Sequence, residues 1–125
     1  MHILVIDDDP AVQGVIEIML KTEGFEVLTA GNGWEGLETI KSNPTIGLVI
    51  TDILMPRKEG LETIQEMKRD FPKIKILAVS GGGRGSANVY LELAGKLGAD
   101  SVLKKPFIKR QLLEAVHGLL KLDKI

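Results

Sequence analysis

Five residues hold most of the chemistry open to this chain: the adjacent acids Asp7 and Asp8, the later acid Asp52, Ser80 and Lys105. Each stands on the C-terminal side of a short apolar run. Ile3–Ile6 precedes the acid pair, Ile46–Ile50 precedes Asp52, Ile74–Val79 precedes Ser80, and Val102–Leu103 precedes Lys105. Three carboxylates brought to one place would repel one another and raise at least one pKa unless a cation neutralised them. An all-oxygen set without His or Cys suits Mg²⁺, with Mn²⁺ as the alternative. Mg²⁺ takes one or two carboxylates and fills its octahedron with water and phosphate oxygens, so such a site invites a phosphoryl ligand. The remaining carboxylate is then placed to act as a nucleophile, and the product is an aspartyl phosphate. Phosphoryl transfer asks a protein for little beyond positioning and charge neutralisation, which the metal, the Lys105 ammonium and the Ser80 hydroxyl would supply.

Such a site forms only if the fold gathers residues from both ends of the chain. The four runs above, together with Phe25–Leu28, read as strands. Four of them are nearly continuous in apolar character, as strands are when helices cover both faces of a parallel sheet; the second run reads as an edge. Helical period is clearest in Val12, Val15, Ile16, Met19 and Leu20, and again in Leu112, Leu113, Val116, Leu119 and Leu120. The first helix is expected to start at Asp9-Pro10, a capping acid followed by proline, and to stop at Gly24. Further helices are expected over Trp34–Lys41, Leu61–Asp70 and Ser86–Leu97, the last ending at Gly98. Regular alternation of strand and helix predicts an α/β fold, a doubly wound five-stranded parallel sheet with right-handed crossovers. Ligands of such sheets bind outside the C-terminal ends of the strands at the switch point, the rim to which all five residues map.

With 44% hydrophobic and 26% charged residues, the 125-residue chain suits one globular domain, so a single domain over residues 1–125 without an output domain is expected. A formal net charge of -1 provides no field to draw it onto nucleic acid or an anionic membrane. The absence of cysteine removes disulfides, thiolate zinc sites and cysteine nucleophiles. Asp7, Asp8 and Asp9 cut the first apolar run too early for a signal peptide or a membrane span. The expected compartment is the cytoplasm, with neither membrane nor nucleic acid as a direct partner.

The order Asp7-Asp8, Asp52-Ile53-Leu54-Met55-Pro56 with Gly60, Ser80, and Lys105-Pro106-Phe107 resembles the CheY-like response-regulator receiver family of two-component signal transduction, across the whole chain. The resemblance implies a flavodoxin-like (βα)5 sheet of strand order 2-1-3-4-5. It implies Asp52 as phosphoacceptor, Asp8 as a Mg²⁺ ligand, Asp7 holding the metal largely through water, and the Leu54 backbone carbonyl completing the protein ligands. Lys105 would pair with the acceptor and then with the phosphoryl group, Ser80 would move to bond a phosphoryl oxygen, and Pro106 would follow a cis peptide bond. The implied donor is a sensor histidine kinase or a phosphotransfer protein, and the target is an unidentified protein. The implied reporting face is helix four, strand five and helix five, which also mediates dimers in many relatives.

Two positions depart from the family pattern. An aromatic residue usually stands three positions before the lysine of Lys-Pro-Phe; here it is Val102, which has no ring to swing inward. Ser80 is followed by Gly81-Gly82-Gly83-Arg84-Gly85, so movement of this loop and the fourth helix is expected to replace the aromatic switch. Glu59 takes the place of the more common Asp before Gly60, in a solvated loop.

Other residues read more plainly. Asp9 suits a helix cap better than a third metal ligand, and Met55-Pro56 suits a rigid loop. The glycine run lacks the lysine and hydroxyl ending of a nucleotide-binding loop. Trp34, Tyr90, His2 and His117 suit packing or surface roles, and strand alternation turns Lys104 away from the side on which Lys105 acts. A dehalogenase-type Mg²⁺ phosphohydrolase would need a second acid two residues after Asp52, where Leu54 stands, and a flavin carrier would not meet phosphate with three acids. A scaffold that resembles a receiver but is never phosphorylated stays open as an alternative.

Overall fold

Runs rich in Val, Ile and Leu bury on both faces of a sheet, and the helical stripes between them supply the cover. The structure, a computed structural model, describes residues 1–53, 60–81 and 87–121, the side chains of residues 87–91 excepted. The strands are β1 (His2–Ile6), β2 (Glu26–Ala30), β3 (Ile46–Asp52), β4 (Lys75–Ser80) and β5 (Ser101–Lys104). They alternate with α1 (Pro10–Lys21), α2 (Gly33–Ser42), α3 (Gly60–Asp70), α4 (Ala87–Leu97) and α5 (Lys109–Lys121). All neighbouring strands are parallel, in the order β2-β1-β3-β4-β5. The expected fold class and strand order are those observed.

Because side chains alternate along a strand, the sheet divides the core into two layers. On one face Leu4, Ile6, Val49, Ile53, Ile76 and Ala78 meet Ile40 of α2, Ile64 and Met67 of α3 and Ala94 of α4. On the other, Ile3, Val5, Leu48, Ile50, Leu77 and Val79 meet Ile16 and Leu20 of α1 and Leu112, Val116 and Leu119 of α5. Fully burying one such side chain is worth about 1.5–3 kcal/mol, so both layers are needed to offset the chain entropy of folding.

Element ends depart from expectation where polar atoms, not apolar patterning, set them. The Asp9 side chain accepts the Ala11 N–H at 2.9 Å with Pro10 in the first turn, which is the expected helix start. The helix ends at Lys21, short of Gly24, because Thr22 caps it; Gly24, with φ +89°, turns the chain toward β2. β2 begins at Glu26 and runs to Ala30, where Phe25–Leu28 was expected. The Phe25 N–H bonds the Leu20 carbonyl at 3.3 Å and so closes the helix turn, while the ladder to β1 starts at the His2–Glu26 pair. As expected β2 is an edge strand; β5 is the other. β3 extends two residues past its apolar run to include Asp52 itself. Among the described residues no helix is long and apolar enough to cross a membrane.

Candidate functional site

Parallel registers put the polar residues side by side. Ile6 pairs with Thr51, so Asp7, one step further, lies beside Asp52; Asp52 is level with Val79, one residue before Ser80; and Ser80 pairs with Lys104, one residue before Lys105. The Lys105 N–H donates to the Ser80 carbonyl at 2.9 Å, extending the β4–β5 ladder into the loop. The Lys105–Pro106 peptide bond is cis. Oxygens of Asp7, Asp8 and Asp52 all lie within 4.8 Å of one another, a cluster able to hold a metal ion.

The Lys105 ammonium sits between two of these acids, 3.0 Å from Asp52 Oδ2 and 3.3 Å from Asp7 Oδ2. Asp7 is buried, 2% exposed, and its Oδ1 accepts the Asp9 N–H at 2.9 Å; Asp8 is exposed. Burial pushes the Asp7 carboxyl above the usual carboxylate range and the charge of Asp52 adds to that, against the opposing pull of the Asp9 N–H and Lys105. The sequence predicts this shift from crowded carboxylates; desolvation is the larger cause. Burial draws the Lys105 ammonium down, but its bond to Asp52 and the charges of Asp52 and Asp7 outweigh that and hold it above the usual lysine value.

The Ser80 side chain is fully buried, and its Oγ has no hydrogen-bond partner among the described residues. A buried hydroxyl without a partner costs free energy, and a site that takes an oxygen-rich ligand is where such a group is expected. This orphan, the hard oxygen donors and the adjacent ammonium together fit Mg²⁺ with a phosphoryl group. Two glycines allow the surrounding backbone to close in. A Cβ at Gly60 would stand 2.3 Å from Ile53 Cα and 2.4 Å from the Asp52 carbonyl oxygen, and one at Gly81 would stand 2.3 Å from Lys105 Cβ.

The Leu54 carbonyl, Met55-Pro56, Gly82–Ser86 and the Tyr90 side chain lie outside the described residues. Val102 is 42% exposed on β5. His2 is away from the acids, its ring held between Glu26 at 3.0 Å and Thr45 at 2.7 Å, and the His117 ring tilts against Phe25. Lys104 is exposed whereas Lys105 is half-buried, as strand alternation requires. One participant has no signal in the sequence: the Gln13 amide of α1 donates to the Asp7 carbonyl at 3.2 Å and the Ala30 carbonyl at 2.9 Å. In sequence it lies between Val12 and Gly14, one turn before Glu17, and a polar residue so placed reads as part of a solvated face.

With this geometry in hand, comparison with known proteins gives one answer. The model of the response regulator receiver domain family matches residues 3–117. The transcriptional regulatory protein CpxR homolog of Haemophilus influenzae is 34% identical over 119 residues, covering 95% of this chain and 50% of the relative. The response regulator SaeR of Staphylococcus aureus is 29% identical over the same length, with 95% and 50% covered. The chain thus spans about half the length of the curated relatives it matches. Among solved structures, a response regulator receiver domain protein from Clostridium thermocellum superposes with a TM-score of 0.89 at 34% identity, covering 98% of this chain and 96% of that one. A CheY-like receiver domain protein from Methanospirillum hungatei gives 0.84 at 32% identity, covering 98% and 94%.

Proposed function

This chain belongs to the response regulator receiver domain family, and on that premise we propose that Asp52 accepts a phosphoryl group in a Mg²⁺-dependent transfer from a phosphohistidine. The donor is a sensor histidine kinase or a phosphotransfer protein. The observation that carries the reading is the Lys105 ammonium at 3.0 Å from Asp52 and 3.3 Å from Asp7, inside a cluster of three acids.

An Asp52 oxygen attacks phosphorus, the new O–P bond forms as the N–P bond of the donor breaks, and the imidazole leaves. Asp7, Asp8, Asp52 and the Leu54 backbone carbonyl would hold Mg²⁺. When bound, it supplies positive charge to the transferring phosphoryl oxygens. Lys105 is already paired with the attacking carboxylate and stays close enough to pair with the phosphoryl group it acquires. The Ser80 hydroxyl gives its unpaired donor to a phosphoryl oxygen, so the orphan is satisfied in the phosphorylated state only. Because the group rests on the chain's own side chain, the role is signalling rather than turnover. Phosphorylation adds about −1.5 to −2 charges at pH 7 and biases the α4–β5–α5 face toward a protein target. With Val102 there, that bias passes through backbone movement and not through an aromatic ring. The same face is our candidate for pairing two copies.

Intact mass after incubation with acetyl phosphate tests the reading, with and without Mg²⁺, for wild type and Asp52→Ala. The expected result is a Mg²⁺-dependent gain of one phosphoryl group that Asp52→Ala abolishes. Incorporation that ignores Asp52→Ala would refute the assignment of the acceptor. No incorporation from either acetyl phosphate or a histidine kinase would favour a scaffold that is never phosphorylated.

A further inference from the structure

Asp7 and Asp8 share one peptide unit, which contains the Asp7 carbonyl and the Asp8 N–H. That unit is planar, so its tilt sets the direction in which both acid side chains leave the backbone. Two hydrogen bonds hold the strand side of this unit: the Asp7 N–H donates to the Ala30 carbonyl at 3.1 Å, and the Asp7 Oδ1 accepts the Asp9 N–H at 2.9 Å. The carbonyl itself is held by Gln13. Its Nε2 has two N–H donors, and it meets two carbonyls, those of Asp7 at 3.2 Å and Ala30 at 2.9 Å. The side chain therefore reaches back from α1 across the acid-bearing loop and fastens it to the end of β2.

We infer that Gln13 is a positioning residue for the cation, fixing the Asp7–Asp8 peptide plane so that both carboxylates face the site before a metal arrives. The inference rests on the receiver reading above. Three acids with oxygens within 4.8 Å of one another push the loop outward, and a donor on the Asp7 carbonyl opposes that push. A neutral amide does so without placing a positive charge where a dication must enter. With the plane free to tilt, the metal would have to order the loop on binding, and its affinity would fall.

Isothermal titration with Mg²⁺ alone tests this on wild type, Gln13→Met and Asn43→Ala. The methionine keeps the length of the side chain and loses the donor. Asn43→Ala removes another side-chain bond to a carbonyl, that of Thr39 at 2.8 Å, at the opposite end of the sheet. Gln13→Met is expected to bind Mg²⁺ about tenfold more weakly, the low end for a residue supporting a metal ligand. Phosphoryl uptake should return to the wild-type rate at saturating Mg²⁺, and Asn43→Ala should bind as wild type does. Equal Mg²⁺ affinity in wild type and Gln13→Met would overturn the inference and leave the receiver reading standing. No Mg²⁺ binding by wild type would overturn both. A second measurement needs no variant: in the wild-type protein the Gln13 side-chain amide protons should exchange with solvent more slowly than those of exposed Gln65. Equal exchange rates would also overturn the inference.

Discussion

Substituting Gly60 by Ala puts one methyl group against the backbone that presents Asp52, the proposed acceptor. The new carbon would lie 2.3 Å from Ile53 Cα and 2.4 Å from the Asp52 carbonyl oxygen. Carbon atoms in contact prefer about 3.5–4.0 Å, so one backbone segment must retreat by more than about 1 Å. Overpacking costs about 1–3 kcal/mol where side chains can yield, and here the obstacle is main chain on both sides, which puts the cost at the upper end. Better helix propensity at the start of α3 returns at most about 1 kcal/mol. The net loss is then about 2 kcal/mol, or roughly 6–10 °C in Tm for a domain of this size. Urea unfolding monitored by circular dichroism reads the stability, and the acetyl phosphate assay reads the site. Both should suffer, since the retreat moves Asp52 relative to Lys105. A Gly60→Ala protein with the wild-type midpoint and wild-type phosphoryl uptake would show that the close approach of α3 to β3 does not constrain the acceptor.

Two further perturbations follow from the same geometry. Asp7→Asn keeps the shape and the Oδ1 acceptor of a buried acid whose ionised form is disfavoured, so without Mg²⁺ the variant should unfold at a higher temperature than wild type at pH 7. The sign follows from a folded-state pKa above the unfolded one: ionised Asp7 weakens the fold above its folded pKa, and that penalty is gone below the unfolded value of about 3.9. The advantage of Asn should therefore shrink on acidification through that window and on addition of Mg²⁺ at pH 7; a variant less stable than wild type at pH 7 would contradict this account. In contrast to Gly60, a Cβ at Gly14, Gly95 or Gly118 meets nothing within 4 Å, and each lies inside a helix. Alanine at each should stabilise by about 0.5–1 kcal/mol, nearly additively across three helices, and leave phosphoryl uptake unchanged. Chemical denaturation of the single and triple variants measures it, and a loss of stability at any of them would reveal a contact that the open space does not.

The acid pair, Asp52, Ser80 and Lys105 were legible in the sequence because each is a polar residue at the end of a β-branched run, and topology alone sends such ends to one rim. The fold followed from the same runs. What the sequence hid depends on backbone atoms. Phe25 belongs to a helix turn and not to β2 because its N–H is spent on Leu20, while Thr29 and the small Ala30 join the ladder beyond the run of large apolar residues. Gln13 bonds to carbonyls, which no residue type advertises. The main cause of the Asp7 shift was hidden too, since burial can be read only once the helices are in place.

The Lys105 ammonium meets Asp7 across 98 positions of sequence and Asp52 across 53. No local segment holds a working part of the site, for β1, β3, β4 and the residue after β5 each contribute one edge. Contacts of such long range carry a loop-closure cost that local contacts do not. A chain that has not docked its last strand therefore lacks the ammonium that sits between Asp7 and Asp52. On the proposal that Asp52 is the phosphoacceptor, uptake of a phosphoryl group should require the completed sheet, so that it would double as a readout of a fully folded domain.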